Sequence, residues 1–239
     1  MKEQYVGDEN DYRKYALLRQ LANAGVRIGV CWMLTPPDDG SDGGKTAYLK
    51  RPDRWRAHDP DLFDVLRSVH DYPGVRRLRL IERSGVIPKA LFFNEHLSHR
   101  SDLRSVFFTA AWSELKSADL IFFDPDNGFE VASTPKGRAA SSKFIYHDEI
   151  AETYKRGHSV LVYQHFPRQP RGQVIHDLAT KLVANASGAR LWCFRTPQIA
   201  FLMLIHPHHA QKLTEAAESA VDRWGAGFLS GTAIPATIA

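Results

Sequence analysis

The stretch Ala118-Asp-Leu-Ile-Phe-Phe-Asp-Pro-Asp-Asn-Gly-Phe-Glu130 organises everything around it. Leu120 to Phe123 is a short apolar run rich in β-formers, closed by a Pro/Asp/Asn/Gly turn, and predicts a buried strand. Asp124, Asp126, Asn127 and Glu130 follow where the chain leaves that strand. In open α/β sheets ligands sit in the crevice beyond the carboxyl ends of the strands. Three carboxylates and an amide cannot be buried there cheaply, so they are solvated, hydrogen-bonded or bound to a ligand. A site is the sharper interpretation. The plainer one is a polar turn whose backbone is set by Pro125 and Gly128.

Downstream, Val131 to Ser142 reads as a polar loop made basic by Lys136, Arg138 and the adjacent Lys143, and Phe144 to Arg156 as a helix. Ser159 to Tyr163 predicts a second buried strand, ending in Gln164-His165-Phe166-Pro167-Arg168. Gln173 to Ala186 is a helix, Arg190 to Phe194 and Ala200 to Ile205 pair as a hairpin, and His208 to Arg223 is a last amphipathic helix. Upstream, Asp8, Asn10 or Asp11 can cap a helix carrying Tyr15, Leu18, Leu21 and Ala22 at helical spacing. Val26 to Leu34 then predicts a buried strand, and Thr35 to Lys45 a turn-rich loop. The GxxxxGK[ST] register is absent from that loop, which excludes a P-loop. Asp61 to Val69 is helical, and Val75 to Ile81 alternates apolar and basic residues like a strand ending at Glu82. Ala90 to Phe93 and Val106 to Phe108 fit either type of element, and Ala110 to Lys116 is helical.

With 239 residues, 44% hydrophobic and 24% charged, the chain can bury one large core. The expectation is a single α/β domain over residues 1–225, with 226–239 as a tail left at least partly disordered. No run is long and apolar enough to span a bilayer, and the first twenty residues do not resemble a signal peptide. Cys31 and Cys193 lie in apolar runs without metal-ligand spacing, which fits a reducing cytoplasm. A net charge of +4 permits DNA or RNA as a partner without requiring it.

From Ala118 to Leu213 the order of elements resembles the C-terminal half of class I S-adenosylmethionine-dependent methyltransferases. In that family the fourth strand ends in the catalytic motif and the last two strands form an antiparallel pair. Asp124-Pro125 stands where the family's (D/N)PP(Y/F) motif begins. The front end is similar to small ribosomal-RNA adenine-N6 methyltransferases, whose first helix carries an Asp-x-x-Lys, here Asp11 and Lys14. The resemblance implies a three-layer sandwich around a mostly parallel sheet with an antiparallel C-terminal strand pair. It implies S-adenosylmethionine as cofactor, with Asp11, Lys14, Thr35, Gly40 and Glu82 around it. Glu82 would end the second strand and hold ribose hydroxyls. The sequence departs from the pattern in the loop Leu34 to Gly44, where the glycines are out of register, and at Asp126, which replaces the motif's second proline. The Asp124-Pro-Asp-Asn-Gly128 and Asp11-Tyr-Arg-Lys-Tyr15 stretches also resemble a group of bacterial and phage-associated proteins, and no function comes with that likeness.

Under this resemblance Asp124 and the Pro125 carbonyl accept hydrogen bonds from the target amino group, flanked by Asp126 and Asn127. Phe129 stacks on the unpaired base, and His165 reaches the same cluster. Lys14, Arg138 and Arg168 are then candidates for phosphate contacts. Two alternatives stand beside it. Asp124, Asp126 and Glu130 could bind Mg²⁺ or Mn²⁺ in a nuclease or phosphodiesterase, with His147-Asp148-Glu149 and His165 as further ligands or a general base. A catalytically inactive binding protein on the same fold is the other. Arg76, Arg77, Arg79 and Arg83 form a basic stripe, either solvated or following a phosphate backbone. His206, His208 and His209 read as caps remote from the site. Placed at a strand end outside the core, Asp124 is expected to tolerate replacement by alanine with little loss of stability.

Overall fold

Leu120 and Phe122 face one side of the central sheet, Ile121 and Phe123 face the other, and all four are buried. The same alternation recurs in the neighbouring strand, with Leu161 and Tyr163 on the first side and Val160 and Val162 on the second. A strand apolar on both faces needs helices on both faces, so the sequence builds three layers. The computed structural model describes residues 1–36, 44–72 and 78–235.

The strands are β1 (Ile28–Cys31), β2 (Leu91–Phe93), β3 (Leu120–Phe123), β4 (Gly128–Phe129), β5 (Phe144–Ile145), β6 (Ser159–His165), β7 (Arg190–Arg195), β8 (Ile199–Ile205) and β9 (Ser230–Ile234). The helices are α1 (Glu9–Asn23), α2 (Pro52–Trp55), α3 (Pro60–Asp71), α4 (Leu78–Ser84), α5 (Ser101–Glu114), α6 (His147–Lys155), α7 (Arg171–Val183) and α8 (Ala210–Phe228). Seven strands form one sheet in the order β2-β1-β3-β6-β8-β7-β9, and β4 and β5 form a separate parallel pair. From β2 to β6 the sheet is parallel. β8 then runs antiparallel to both β6 and β7. The α/β class, the mostly parallel beginning of the sheet and the late antiparallel pair are as the sequence predicts.

One core joins the first face to α1, α3 and α8 through Leu17, Leu21, Phe63, Leu66, Leu213 and Trp224. The other joins the second face to α5, α6 and α7 through Phe107, Phe108, Ile150, Tyr154 and Leu182. No described helix is long and apolar enough to cross a membrane.

The structure corrects the sequence reading in three segments and settles a fourth. Phe144–Ile145, expected as the start of a helix, form β5, and the helix begins at His147. Of Val75 to Ile81, residues 75–77 lie outside the described residues, and Leu78–Ser84 is helical, burying Leu78 and Ile81 at i, i+3 spacing. Arg79 and Arg83 therefore sit on a helix and not along a strand. Val106 to Phe108, which fits either element in the sequence, belongs to α5, while the equally open Ala90 to Phe93 contains β2; with Leu78–Ser84 helical, two strands precede the one ending at Asp124. In the expected tail, α8 continues to Phe228 and Ser230–Ile234 forms the edge strand β9 on β7. Residues 236–239 lie outside the described residues.

Candidate functional site

Helix α1 begins at Asp8, whose side chain accepts the backbone N–H groups of Asn10 and Asp11, both at 2.8 Å. Three residues apart on one helical face, Asp11 and Lys14 pair, with Nζ 2.7 Å from Oδ1. The Gly7 N–H and the Tyr15 hydroxyl hold the other Asp11 oxygen, each at 2.9 Å. Lys14 then reaches Asp124 at the carboxyl end of β3, with Nζ 2.6 Å from Oδ2. All three side chains of this Asp11–Lys14–Asp124 bridge are about 3% exposed.

A second contact set surrounds Asp126. Met33, in the left-handed region with φ 48°, turns the chain just past β1. Two residues on, Thr35 donates its hydroxyl to Asp126 Oδ2 at 2.7 Å. The α-amino group of Met1 lies 2.7 Å from Asp126 Oδ1 and donates to the Asp124 carbonyl at 2.9 Å. Gly128, at φ 109°, lets the turn double back so that the Phe129 N–H donates to Gln164 Oε1 at 2.8 Å. A Cβ at Gly128 would lie 2.2 Å from that oxygen, so only glycine fits.

Beyond these strand ends opens a cleft of about 310 Å³, walled by Tyr5, Asp8, Asn10, Lys45, Asp126, Tyr163 and His165, with Lys14 and Asp124 at its base. Its size falls in the range of about 300–1,000 Å³ usual for small-ligand sites. Burial, reinforced by Asp11, pushes the Asp8 carboxyl up to about 6 against the pull of its capping N–H groups. Burial also pushes Asp124 up, opposed first by Lys14 and then by the Met1 amine. Asp126 is likewise penalised by burial, but the Met1 amine and the Thr35 hydroxyl outweigh that and hold it below the ordinary carboxylate range. Burial works against charge on Lys14, yet Asp11 and Asp124 overcome it and keep the ammonium fully protonated. The Tyr163 hydroxyl is held protonated by burial and lies 3.0 Å from His165 Nε2.

Asp11, Lys14, Thr35, Asp124, Pro125, Asp126, Asn127 and His165 thus gather at one end of the sheet, as the sequence suggests. Gly40 lies outside the described residues. Glu82 belongs to α4 and does not end a strand. Its carboxylate nevertheless reaches the carboxyl ends of β1 and β2, accepting the Trp32 indole N–H at 2.9 Å and the Asn94 amide at 3.1 Å. Phe129 is 3% exposed and packs in the second core near His147, so its ring is closed to a stacked base. Lys14 is buried with its charge already compensated by Asp11 and Asp124, which disfavours the phosphate contact.

The carboxylates of the metal alternative point to different partners. Asp124 faces Lys14, Asp126 faces Met1 and Thr35, and Glu130 accepts the His147 N–H at 2.8 Å. Glu149 is locked to the buried Arg104, and Asp148 pairs with Lys136. Among the described residues, no group of three His, Cys, Asp or Glu side chains is placed to hold a metal ion. His206 and His209 lie by Ser159, at the opposite end of β6 from the cleft.

Asp8, Asn10, Tyr163 and Gln164 complete the site but escape a reading of motifs. Asp8 was visible only as a helix cap, and Tyr163 and Gln164 only as the end of an apolar strand. No protein-family model matches the chain, and no curated protein matches it. Among solved structures, protein LPL1258 from Legionella pneumophila str. Philadelphia 1, assigned to the family model DUF519, aligns over 98% of both chains, with 11% identity and a TM-score of 0.45. No functional statement passes from that protein to this one.

Proposed function

We propose that this chain transfers a methyl group from S-adenosylmethionine to an amino group, with nucleic acid as the acceptor. One observation carries this. The two stretches singled out by the methyltransferase resemblance, Asp11-x-x-Lys14 and Asp124-Pro125, lie 110 positions apart and meet at 2.6 Å at the carboxyl end of the central strand. A ligand crevice belongs there in such a sheet.

The cleft's chemistry fits the cofactor. Asp8 supplies negative charge for a cationic ligand, the amides of Asn10 and Asn127 suit hydroxyl groups, and Lys45 suits a carboxylate. S-adenosylmethionine, when bound, supplies an electrophilic methyl group. Methyl transfer to nitrogen needs positioning and charge stabilisation more than proton transfer. Lys14 opposes the effect of burial on Asp124 and so favours the ionised form, an acceptor able to orient the N–H of an amino group. The Pro125 carbonyl offers a second acceptor beside it, and Tyr163 and His165 wall the side from which a base would enter.

Calorimetric titration of EDTA-treated protein with S-adenosylmethionine tests this proposal. Saturable binding in the absence of metal, weakened in Asp8→Asn, is expected. No heat with the cofactor and a saturable Mn²⁺ isotherm would turn the assignment to a metal-dependent hydrolase.

A further inference from the structure

The catalytic cleft ends at His165, and the next six residues line a second one. Phe166, Arg168 and Pro170 of the loop after β6, with Arg171 at the start of α7, face Pro197 and Gln198 of the turn between β7 and β8 across a cleft of about 550 Å³. The Phe166 N–H donates to the Gln198 carbonyl at 3.1 Å, which ties the two loops together. Pro167, Pro170 and Pro197 restrict their backbones before anything binds. Arg195 ends β7 at the same edge of the sheet, because β6 and β7 both run antiparallel to β8. In register, Gln164 pairs with Ala200, and Ala200 with Arg195. Two strand spacings therefore put Arg195 about 10 Å from the end of β6.

These cations differ from the surface arginines whose charge is already neutralised. Arg27, Arg56, Arg100 and Arg156 are each ion-paired to a carboxylate. Arg168, Arg171 and Arg195 are exposed, and none has a carboxylate partner among the described residues. The Arg171 guanidinium lies 6.0 Å from the centre of the half-buried Phe166 ring. An aromatic platform backed by exposed arginines is the chemistry that holds single-stranded nucleic acid, through stacking and phosphate contacts.

We infer that the β6–α7 loop and the β7–β8 turn form a track for the single strand flanking the target base, with Phe166 stacking a base and Arg168, Arg171 and Arg195 contacting phosphates. This rests on the proposed methyl transfer in the adjoining cleft, which requires its base unpaired or flipped out.

The test is fluorescence anisotropy of the full chain, without cofactor, with a labelled single-stranded oligonucleotide of about 12 nucleotides, within the usual range of single-strand sites. Each phosphate neutralised on a single strand contributes about 0.7 to the slope of log affinity against log salt. The variant Arg168→Ala/Arg171→Ala/Arg195→Ala should therefore lose about 2 from that slope and bind about 100-fold more weakly at 0.1 M salt. Phe166→Ala should weaken binding at least about fivefold with the slope unchanged, as loss of stacking predicts. Arg195→Glu should weaken binding, and Arg190→Glu, at the far end of the same strand, should not. Wild-type affinity and slope in the triple variant, or equal effects of Arg190→Glu and Arg195→Glu, would overturn the inference. Titration with S-adenosylmethionine is scored separately. Cofactor binding retained in a triple variant that still holds the oligonucleotide normally would refute the track alone.

Discussion

Replacing Lys14 by methionine should be among the most damaging single changes at this site. The substitution keeps most of the side-chain volume but removes the ammonium lying 2.7 Å from Asp11 and 2.6 Å from Asp124. Two buried carboxylates would then face each other with their shared cation gone. Breaking a buried ion pair by deleting one partner costs about 3–5 kcal/mol, most of it the penalty of stranding the other charge. In a chain of this size, 1 kcal/mol moves the midpoint by about 2–4 °C, so Lys14→Met should lower Tm by roughly 6–20 °C. Asp124→Asn should cost less, about 1.5–3 kcal/mol, because Lys14 keeps Asp11 as its counter-ion. The loss in Lys14→Met should also ease in acid. Asp124, already pushed up by burial, loses its main opposing charge, so the folded variant takes up a proton more readily than the unfolded chain. Urea denaturation at neutral and mildly acidic pH measures both effects. A cost for Lys14→Met below about 1 kcal/mol, the scale of an exposed pair, would refute the claim that this bridge is buried and structural.

Three further outcomes follow from the same geometry. Asp8→Asn keeps an N-cap, since asparagine caps as well as aspartate, but removes a carboxyl whose pKa is raised to about 6. A raised carboxyl stabilises the fold below its unfolded value of 3.8, and that contribution fades as pH rises through 6. Between those limits the variant should therefore show a less negative slope of stability against pH than the wild type, measured by urea denaturation; identical slopes would contradict the assignment. Gly128→Ala should cost about 2–3 kcal/mol, because φ 109° is barred to alanine and its Cβ would press on Gln164. Adding Gln164→Ala should relieve only the steric part. Phe129→Ala should lower stability by about 3–5 kcal/mol as a core truncation, while leaving the affinity of the folded protein for single strands unchanged in the anisotropy assay.

The parts of the fold legible in the sequence are those where local pattern and burial agree. Leu120 to Phe123, Val160 to Tyr163, Leu191 to Phe194 and Ile199 to Ile205 are continuous apolar runs, and each lies in a strand of the main sheet. β9 was illegible because Ser230–Ile234 is built from small residues in place of an apolar alternation. The reason lies in tertiary contact: a Cβ on Gly231 would lie 2.6 Å from Val221 and 2.8 Å from Phe194, so the edge strand needs glycine to sit against α8 and β7. Val75 to Ile81 misled because Arg77-Leu78-Arg79-Leu80 alternates basic and apolar residues as a strand does, while Leu78 and Ile81 also stand at helical i, i+3 spacing, and only the burial of Leu78 and Ile81 separates the two. At the site, the residues were visible but their partners were not. Nothing local to Asp124 shows that a lysine 110 positions earlier will bury it, so a core carboxylate looked like an exposed strand end. Phe129 looked available for stacking until the parallel pairing of Gly128 with Phe144 and of Phe129 with Ile145 turned it inward.

The measurement closest to the central claim is nucleoside mass spectrometry after incubating the metal-free protein with S-adenosylmethionine carrying a labelled methyl group and single-stranded RNA and DNA. The account predicts label on an exocyclic amino nitrogen of a base, lost in Asp124→Asn under conditions where that variant remains folded. Strand cleavage dependent on Mn²⁺, with no labelled nucleoside and no cofactor binding, would contradict it.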